Sequence, residues 1–182
     1  MLALAAAVVA APLLASLPAV AQGNTVSLER KVKAAFLYKF LGYTEFPAAA
    51  LGEPGMPIVI GVVDADDLAA ELARIVNGRT VMSRPITVKV LREQEPPGTV
   101  HLLFVGGNDL ARVRHVLRWA RPSPMLLVSE AEGGLRQGSV INFRIVDERV
   151  RFDVSLDAAD KHSVKLSSRL LTVAHQVHKG AL

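Results

Sequence analysis

The sequence predicts a single α/β domain: a partly parallel central sheet flanked by helices, with a C-terminal antiparallel hairpin and helix. Three features predict it. Short, nearly all-apolar runs such as Ile58–Val63 (IVIGVV) read as strands buried on both faces of a parallel sheet. Apolar residues at three- and four-residue steps mark helices between such runs, so strand–helix–strand occurs twice. Near the C-terminus, Ile141, Phe143 and Ile145, then Val150, Phe152, Val154 and Leu156, alternate with polar neighbours, the period of half-buried strands.

Residues 1–21 carry no charged side chain and end in Ala19-Val20-Ala21, which reads as a secretory signal peptide cleaved before Gln22, with an uncleaved membrane anchor as the alternative reading. Residues 22–27 read as a disordered start, and residues 28–178 as the domain, with a short tail over 179–182. Ser27 is the expected N-cap of a first helix with Leu28, Val32, Ala35, Phe36 and Phe40 on one face, ended by Gly42. Ala48–Pro57, with Gly52, Pro54, Gly55 and Pro57, reads as loop. After the first buried strand, Asp64, Asp66 and Asp67 open a helix at its positive end, through Leu68, Leu72 and Ile75, and Asn77-Gly78 closes it. Ile86–Leu91 is the next strand, Glu95-Pro96-Pro97-Gly98 a turn, and Val100–Val105 the third strand. Gly106-Gly107-Asn108 leads into a helix with Leu110, Val113, Val116 and Leu117 inward. Met125–Val128 is the fourth strand, and Ser129–Gly138 a loop.

In the hairpin, reversal at Asp147-Glu148 sets Ile145 opposite Val150, Phe143 opposite Phe152 and Ile141 opposite Val154, so every apolar residue shares one face. Asp-Glu is not the Asn-Gly pair of a tight turn, and a four-residue loop would keep the same register. Arg144 then faces Arg151 on the other side. Beyond the hairpin, Leu166, Leu170, Val173, Ala174 and Val177 fit one stripe of a helix over Ser163–His178.

The chain of 182 residues is 51% hydrophobic, enough for one real core, and it contains no cysteine, so disulfides and thiol chemistry are excluded. Its net charge of +4 is spread along the chain, which argues against nucleic-acid binding.

The segments VKAAFLYKFLGYTEFP (Val32–Pro47), NGRTVMSRPITV, HLLFVG and GSVINFRIVDERVRFDVSL…VKLSSRLL occur in order over roughly residues 30–174. Together they resemble the YfiR family. That resemblance implies a periplasmic α/β regulator and not an enzyme, whose partner is the periplasmic domain of an inner-membrane diguanylate cyclase or related sensor. Repression of the cyclase would lower cyclic di-GMP and biofilm formation. The best-known member carries cysteine pairs linked to redox sensing; this chain has none, so a thiol switch is not available to it.

The residues themselves support no catalytic site. There is no G-x-S-x-G and no cysteine nucleophile. Gly106-Gly107-Asn108 lacks dinucleotide or P-loop spacing and reads as a tight turn with an Asn cap. Capping and dipole compensation account for Asp64, Asp66 and Asp67. His175 and His178, which could share a metal with His162, suit the last turn of a helix better than a metal site, and His101 reads as a hydrogen-bonded residue of the core or sheet edge. No cofactor or metal is expected. The candidates for partner or ligand contact are Arg79, Arg144 and Arg151, as sites for an anionic group, and Leu37, Tyr38 and Leu41, as apolar groups left over on the first helix for a partner or a homodimer. A small-ligand-binding accessory protein is the alternative reading.

Overall fold

The computed structural model describes residues 20–94, 98–120 and 123–180. Helix α1 (Val20–Leu41) starts ahead of Ser27, which therefore lies inside the helix and does not cap it. The disordered start expected over residues 22–27 is likewise helical backbone. The expected leader over residues 1–21 lies, apart from Val20 and Ala21, outside the described residues.

The face that α1 buries also differs from the expected one. Ala34, Leu37, Phe40 and Leu41 are fully buried, whereas Leu28 is 62% exposed. Residues 34–41 (AAFLYKFL) are apolar nearly all round, so periodicity alone could not choose between two adjacent stripes.

Strand β1 (Thr44–Glu45) and the one-turn helix α2 (Ala48–Leu51) come next, the latter within the stretch expected to be loop. The Arg84 guanidinium holds that segment by donating to the carbonyl oxygens of Leu51, Gly52, Glu53 and Met56 at 2.7–3.2 Å. Strand β2 (Ile58–Val63) is buried along its whole length. Helix α3 (Asp66–Val76) has Asp66 and Asp67 in its first turn, against the helix dipole. Its N-cap is Ala65, so the acids do not cap it as expected; Asp64, at φ 55°, pairs with Arg112 instead.

Strands β3 (Thr80–Val81) and β4 (Arg84–Leu91) form a short hairpin, and β5 (Leu102–Val105) leads to helix α4 (Leu110–Ala120) and strand β6 (Leu126–Ser129). Residues 95–97 of the expected turn before β5 lie outside the described residues. Asp109, not Asn108, caps α4, its carboxylate accepting from the N–H groups of Ala111 and Arg112.

A short helix α5 (Gly134–Gln137) interrupts the expected loop before β7 (Ile141–Val146) and β8 (Arg149–Ser155). Gly134 is obligatory there, since a Cβ would collide with Ser129 Oγ and stand 2.5 Å from Asn142 Oδ1. The hairpin register is the expected one, with Ile141 opposite Val154, Phe143 opposite Phe152, Arg144 opposite Arg151 and Ile145 opposite Val150. Its turn is tighter than a four-residue loop. Val146 still pairs with Arg149, so Asp147 and Glu148 alone reverse the chain, both in the left-handed region at φ 49° and 58°.

The C-terminal helix expected over Ser163–His178 is not formed as one element. The chain instead makes α6 (Leu156–Lys161), β9 (Lys165–Leu166), α7 (Ser168–Val173) and β10 (Gln176–His178). Leu170 is buried, but Val173 and Val177 are 62% and 42% exposed, so the apolar stripe does not act as one face. Ser167 starts α7 afresh, its hydroxyl accepting from Leu170 N–H at 3.3 Å. Tertiary pairing supplies the rest, since β9 joins β1 and β10 lies parallel to β8.

The main sheet has the order β10-β8-β7-β6-β5-β2-β4-β3, parallel from β4 through β2, β5 and β6 to β7. The crossover through α3 and the crossover through α4 run in opposite directions across it. Right-handed connections then set these two helices on opposite faces. Helix α1 packs on α3 and on β8.

Candidate functional site: an apolar groove and a polar cleft around the hairpin

The hairpin stands beyond the carboxyl ends of the parallel strands, because β7 pairs with β6 only through Ile141 and Asn142. Its inner half is core. Phe143 and Phe152 meet Phe36 and Phe40 of α1, with ring centroids from 4.9 to 6.1 Å apart, and Phe104 of β5 lies 6.1 Å from Phe143. The outer half carries the same alternation past the edge of the core, leaving Ile145 52% exposed. Between this tip and α1 runs a groove of about 670 Å³, whose apolar lining is Leu28, Val32, Phe36, Ile145 and Val150. Arg149, Arg151, Glu148 and Glu29 form its rim.

On the other side of the tip lies a polar cleft of about 760 Å³. Its anchor is Glu130, just past the end of β6. The carboxylate accepts from Arg30 Nη1 at 2.9 and 3.1 Å, from Lys33 Nζ at 2.5 Å and from Gly107 N–H at 2.7 Å. Lys33 also pairs with Glu29, and Arg30 with Asp67 at 3.4 Å. Burial alone would raise the Glu130 carboxyl, but Lys33, Arg30 and the Gly107 N–H outweigh it and hold it below the usual carboxylate range. The cluster thus fastens α1 to the end of the sheet. Beneath the cleft, Ser129 Oγ donates to Asn142 Oδ1 at 2.5 Å and lies 2.7 Å from the Ser139 hydroxyl.

The cleft is electrically balanced, with Arg30, Lys33, Arg136 and Arg144 set against Glu29, Glu130, Glu132 and Asp153. Asp153 is buried between Arg144 Nη1 at 3.2 Å and His175 Nδ1 at 3.0 Å. His175 comes just after α7 and ties the approach to β10 onto β8.

Of the residues singled out in the sequence, Arg144 and Arg151 do come together on the outward face of the hairpin. Arg144 looks toward the cleft and Arg151 toward the groove rim. Arg79 lies elsewhere, at the end of α3, with its guanidinium 5.3 Å above the Tyr38 ring. Tyr38 is half-buried beneath it. Leu37 and Leu41 are fully buried, so neither belongs to a surface. His101 is a core residue, as expected. Its Nδ1 accepts from Val59 N–H at 3.0 Å, which leaves Nε2–H to donate to Ala50 O at 3.0 Å. Burial lowers its pKa, so the neutral ring stays in place. Among the described residues no group of His, Asp and Glu is arranged to hold a metal.

Sequence reading missed the Glu130 cluster and the exposure of Leu28 and Ile145. An acid directly after an apolar strand was a signal for Glu130; its partners nearly a hundred residues away were not readable.

A family model described as DUF4154, YfiR/HmsC-like, matches residues 30–175, nearly the whole described domain. The chain belongs to the YfiR/HmsC-like family. The match takes in α1 from Arg30 onward, the hairpin and most of the lining of both surfaces, while Leu28 and Glu29 lie just before it and Gln176 and His178 just after it. No curated protein matches the chain. Among solved structures, a conserved domain protein from Vibrio cholerae O1 biovar El Tor is similar, with a TM-score of 0.56 at 8% identity over 82% of this chain. That likeness concerns the fold alone, and the chain spans 60% of the length of that protein. No helix among the described residues is long and apolar enough to cross a membrane.

Proposed function

We propose that this YfiR/HmsC-like domain is an exported, periplasmic regulatory binding protein without catalytic activity. It binds the periplasmic sensor domain of an inner-membrane diguanylate cyclase and holds down its output, lowering cyclic di-GMP and biofilm formation. The observation that carries this reading is the groove between α1 and the hairpin tip. Exposed Leu28 and Ile145 flank a depression ringed by charge, the pattern of a protein-binding surface with an apolar centre and a polar rim. Regulation across the bilayer then requires tighter binding to the inactive state of the sensor than to its active state.

The test is crosslinked pull-down from the cell envelope, together with cyclic di-GMP measured in a deletion strain carrying variants. Ile145→Asp should release the membrane protein and raise cyclic di-GMP, with affinity lower by at least about tenfold, roughly 1.4 kcal/mol. Arg151→Ala and Arg144→Ala should weaken binding less. Repeated recovery of no membrane protein with functional wild type would reject the proposal. The polar cleft of about 760 Å³ favours a second reading, a small-ligand-binding accessory role; a ligand that survives purification and is lost in Arg136→Ala would support it.

A further inference from the structure

Helix α4 carries a surface unlike the groove and the cleft. From Leu110 to Arg121 (LARVRHVLRWAR) the sequence holds four arginines, a histidine and no acid. Val113, Val116, Leu117 and Ala120 are buried, so solvent meets the other side of the helix. There Arg114 and Arg118 stand one turn apart, both exposed, beside exposed Ala111. Arg112, on the flank, is already spent, since its guanidinium pairs with Asp64 and, at 3.2 Å, with Glu93. Among the described residues, no carboxylate, carbonyl or ring holds Arg114 or Arg118, in contrast to Arg30, Arg74, Arg79, Arg84 and Arg144. Two further cations extend this side. Ile86 and Val88 of β4 line a groove with Val76 of α3, so strand alternation turns Lys89 to the other face of the sheet, the face of α4. Arg92 precedes the Glu93 that Arg112 holds. Lys89 and Arg92 are both exposed.

We infer that this face is a contact for anionic phospholipid headgroups, and that it lays the domain on a membrane surface through α4. A protein partner calls for an apolar centre inside a polar rim, as the groove has. The outward side of α4 is a convex helix face of arginine and alanine, with no such centre. A plane of phosphates needs neither pocket nor apolar anchor, and a guanidinium matches phosphate oxygens in pairs. Attraction of this kind is weak per residue and screened by salt, so the contact is peripheral and reversible. The inference draws on the exported reading only for which membrane the face meets, the one that carries the sensor. Helix α4 lies across the sheet from α3, on which α1 packs, so the contact leaves the groove open to that sensor.

Flotation of the purified protein with lipid vesicles tests this with no sensor present, so its failure leaves the groove reading standing. Wild type should bind vesicles of mixed phosphatidylglycerol and phosphatidylcholine at low salt, should not bind phosphatidylcholine alone, and should be released as salt rises. Arg114→Gln and Arg118→Gln should each lower the partition coefficient about fivefold. Both side chains are exposed, so both variants are expected to fold, with circular dichroism as the check. Lys31→Gln, near Glu71 of α3 on the opposite face, removes the same charge and should change partitioning by less than about twofold. Wild type that stays unbound on anionic vesicles at low salt, equal binding to both kinds of vesicle, or a loss in Lys31→Gln as large as in Arg114→Gln would each overturn the inference. Binding to polyglutamate but not to vesicles would also overturn it, in favour of an acidic protein partner.

Discussion

The β3–β4 and β7–β8 hairpins are built on the same turn and have opposite fates. Each reverses through two residues in the left-handed region, Met82-Ser83 at φ 52° and 58° and Asp147-Glu148 at φ 49° and 58°. Neither pair is the Asn-Gly that such turns favour, so turn chemistry cannot explain why either holds. The strands on either side of the turn decide. The β7–β8 ladder runs from Val146–Arg149 to Ile141–Val154 and drives Phe143 and Phe152 into the rings of α1. The β3–β4 ladder stops after two pairs and leaves the rest of β4 open. Burial of one face fixes register far more strongly than a turn does.

The largest expected effect breaks the β7–β8 hairpin. Phe152→Ala should lower stability by about 4 kcal/mol in denaturant melts, whereas Val88→Ala in β4 should lower it by about 1 kcal/mol. Equal losses would mean that the aromatic contacts with α1 are not what separates the two.

Next in size is Glu130, whose cluster pins α1 beside the β7–β8 hairpin and has no counterpart described near β3–β4. Glu130→Gln should cost about 2 kcal/mol at neutral pH by removing charged hydrogen bonds to Lys33 and Arg30. Its folded-state pKa is depressed below the ordinary 4.5. The stabilisation it gives is therefore complete above the unfolded value and is lost as pH falls through the folded one. Wild type should lose stability over that acid window, and the Gln variant should lack this contribution to the slope, as read from melts between neutral and strongly acidic pH.

The smallest effect sharpens the comparison. Asp147-Glu148→Asn-Gly and Met82-Ser83→Asn-Gly should each raise stability by about 1 kcal/mol, because both relieve left-handed strain at non-glycine residues. A gain at one turn alone would show that the two turns are not energetically alike.

The sequence made the hairpin legible residue by residue, because an alternating pattern flanking a reversal admits one register. The strands of the parallel sheet and helices α3 and α4 were legible for a related reason: each is short, strongly patterned and bounded by glycine, proline or acid. The tail was not. Leu166, Leu170, Val173, Ala174 and Val177 satisfy helical spacing, yet Leu166 pairs with Thr44 and Val177 with Val154. Those partners are distant in sequence, and local periodicity carries no trace of them. The candidate surfaces failed in the same way. Leu37 and Leu41 looked surplus because the helix is apolar on several sides, while the groove arises where two distant elements diverge. Lys33 sat unremarked on a buried face because its counter-ion is Glu130.

The link between Glu130 and α1 has a consequence for how the chain folds. Lys33 and Arg30 lie 97 and 100 positions before their carboxylate. During synthesis, α1 emerges long before the strand end and the hairpin that bury its phenylalanines. Such distant contacts slow folding, and the early helix spends that interval with apolar surface exposed. A holding chaperone that grips α1 until residues 130–155 arrive would shorten the time this segment is vulnerable to aggregation.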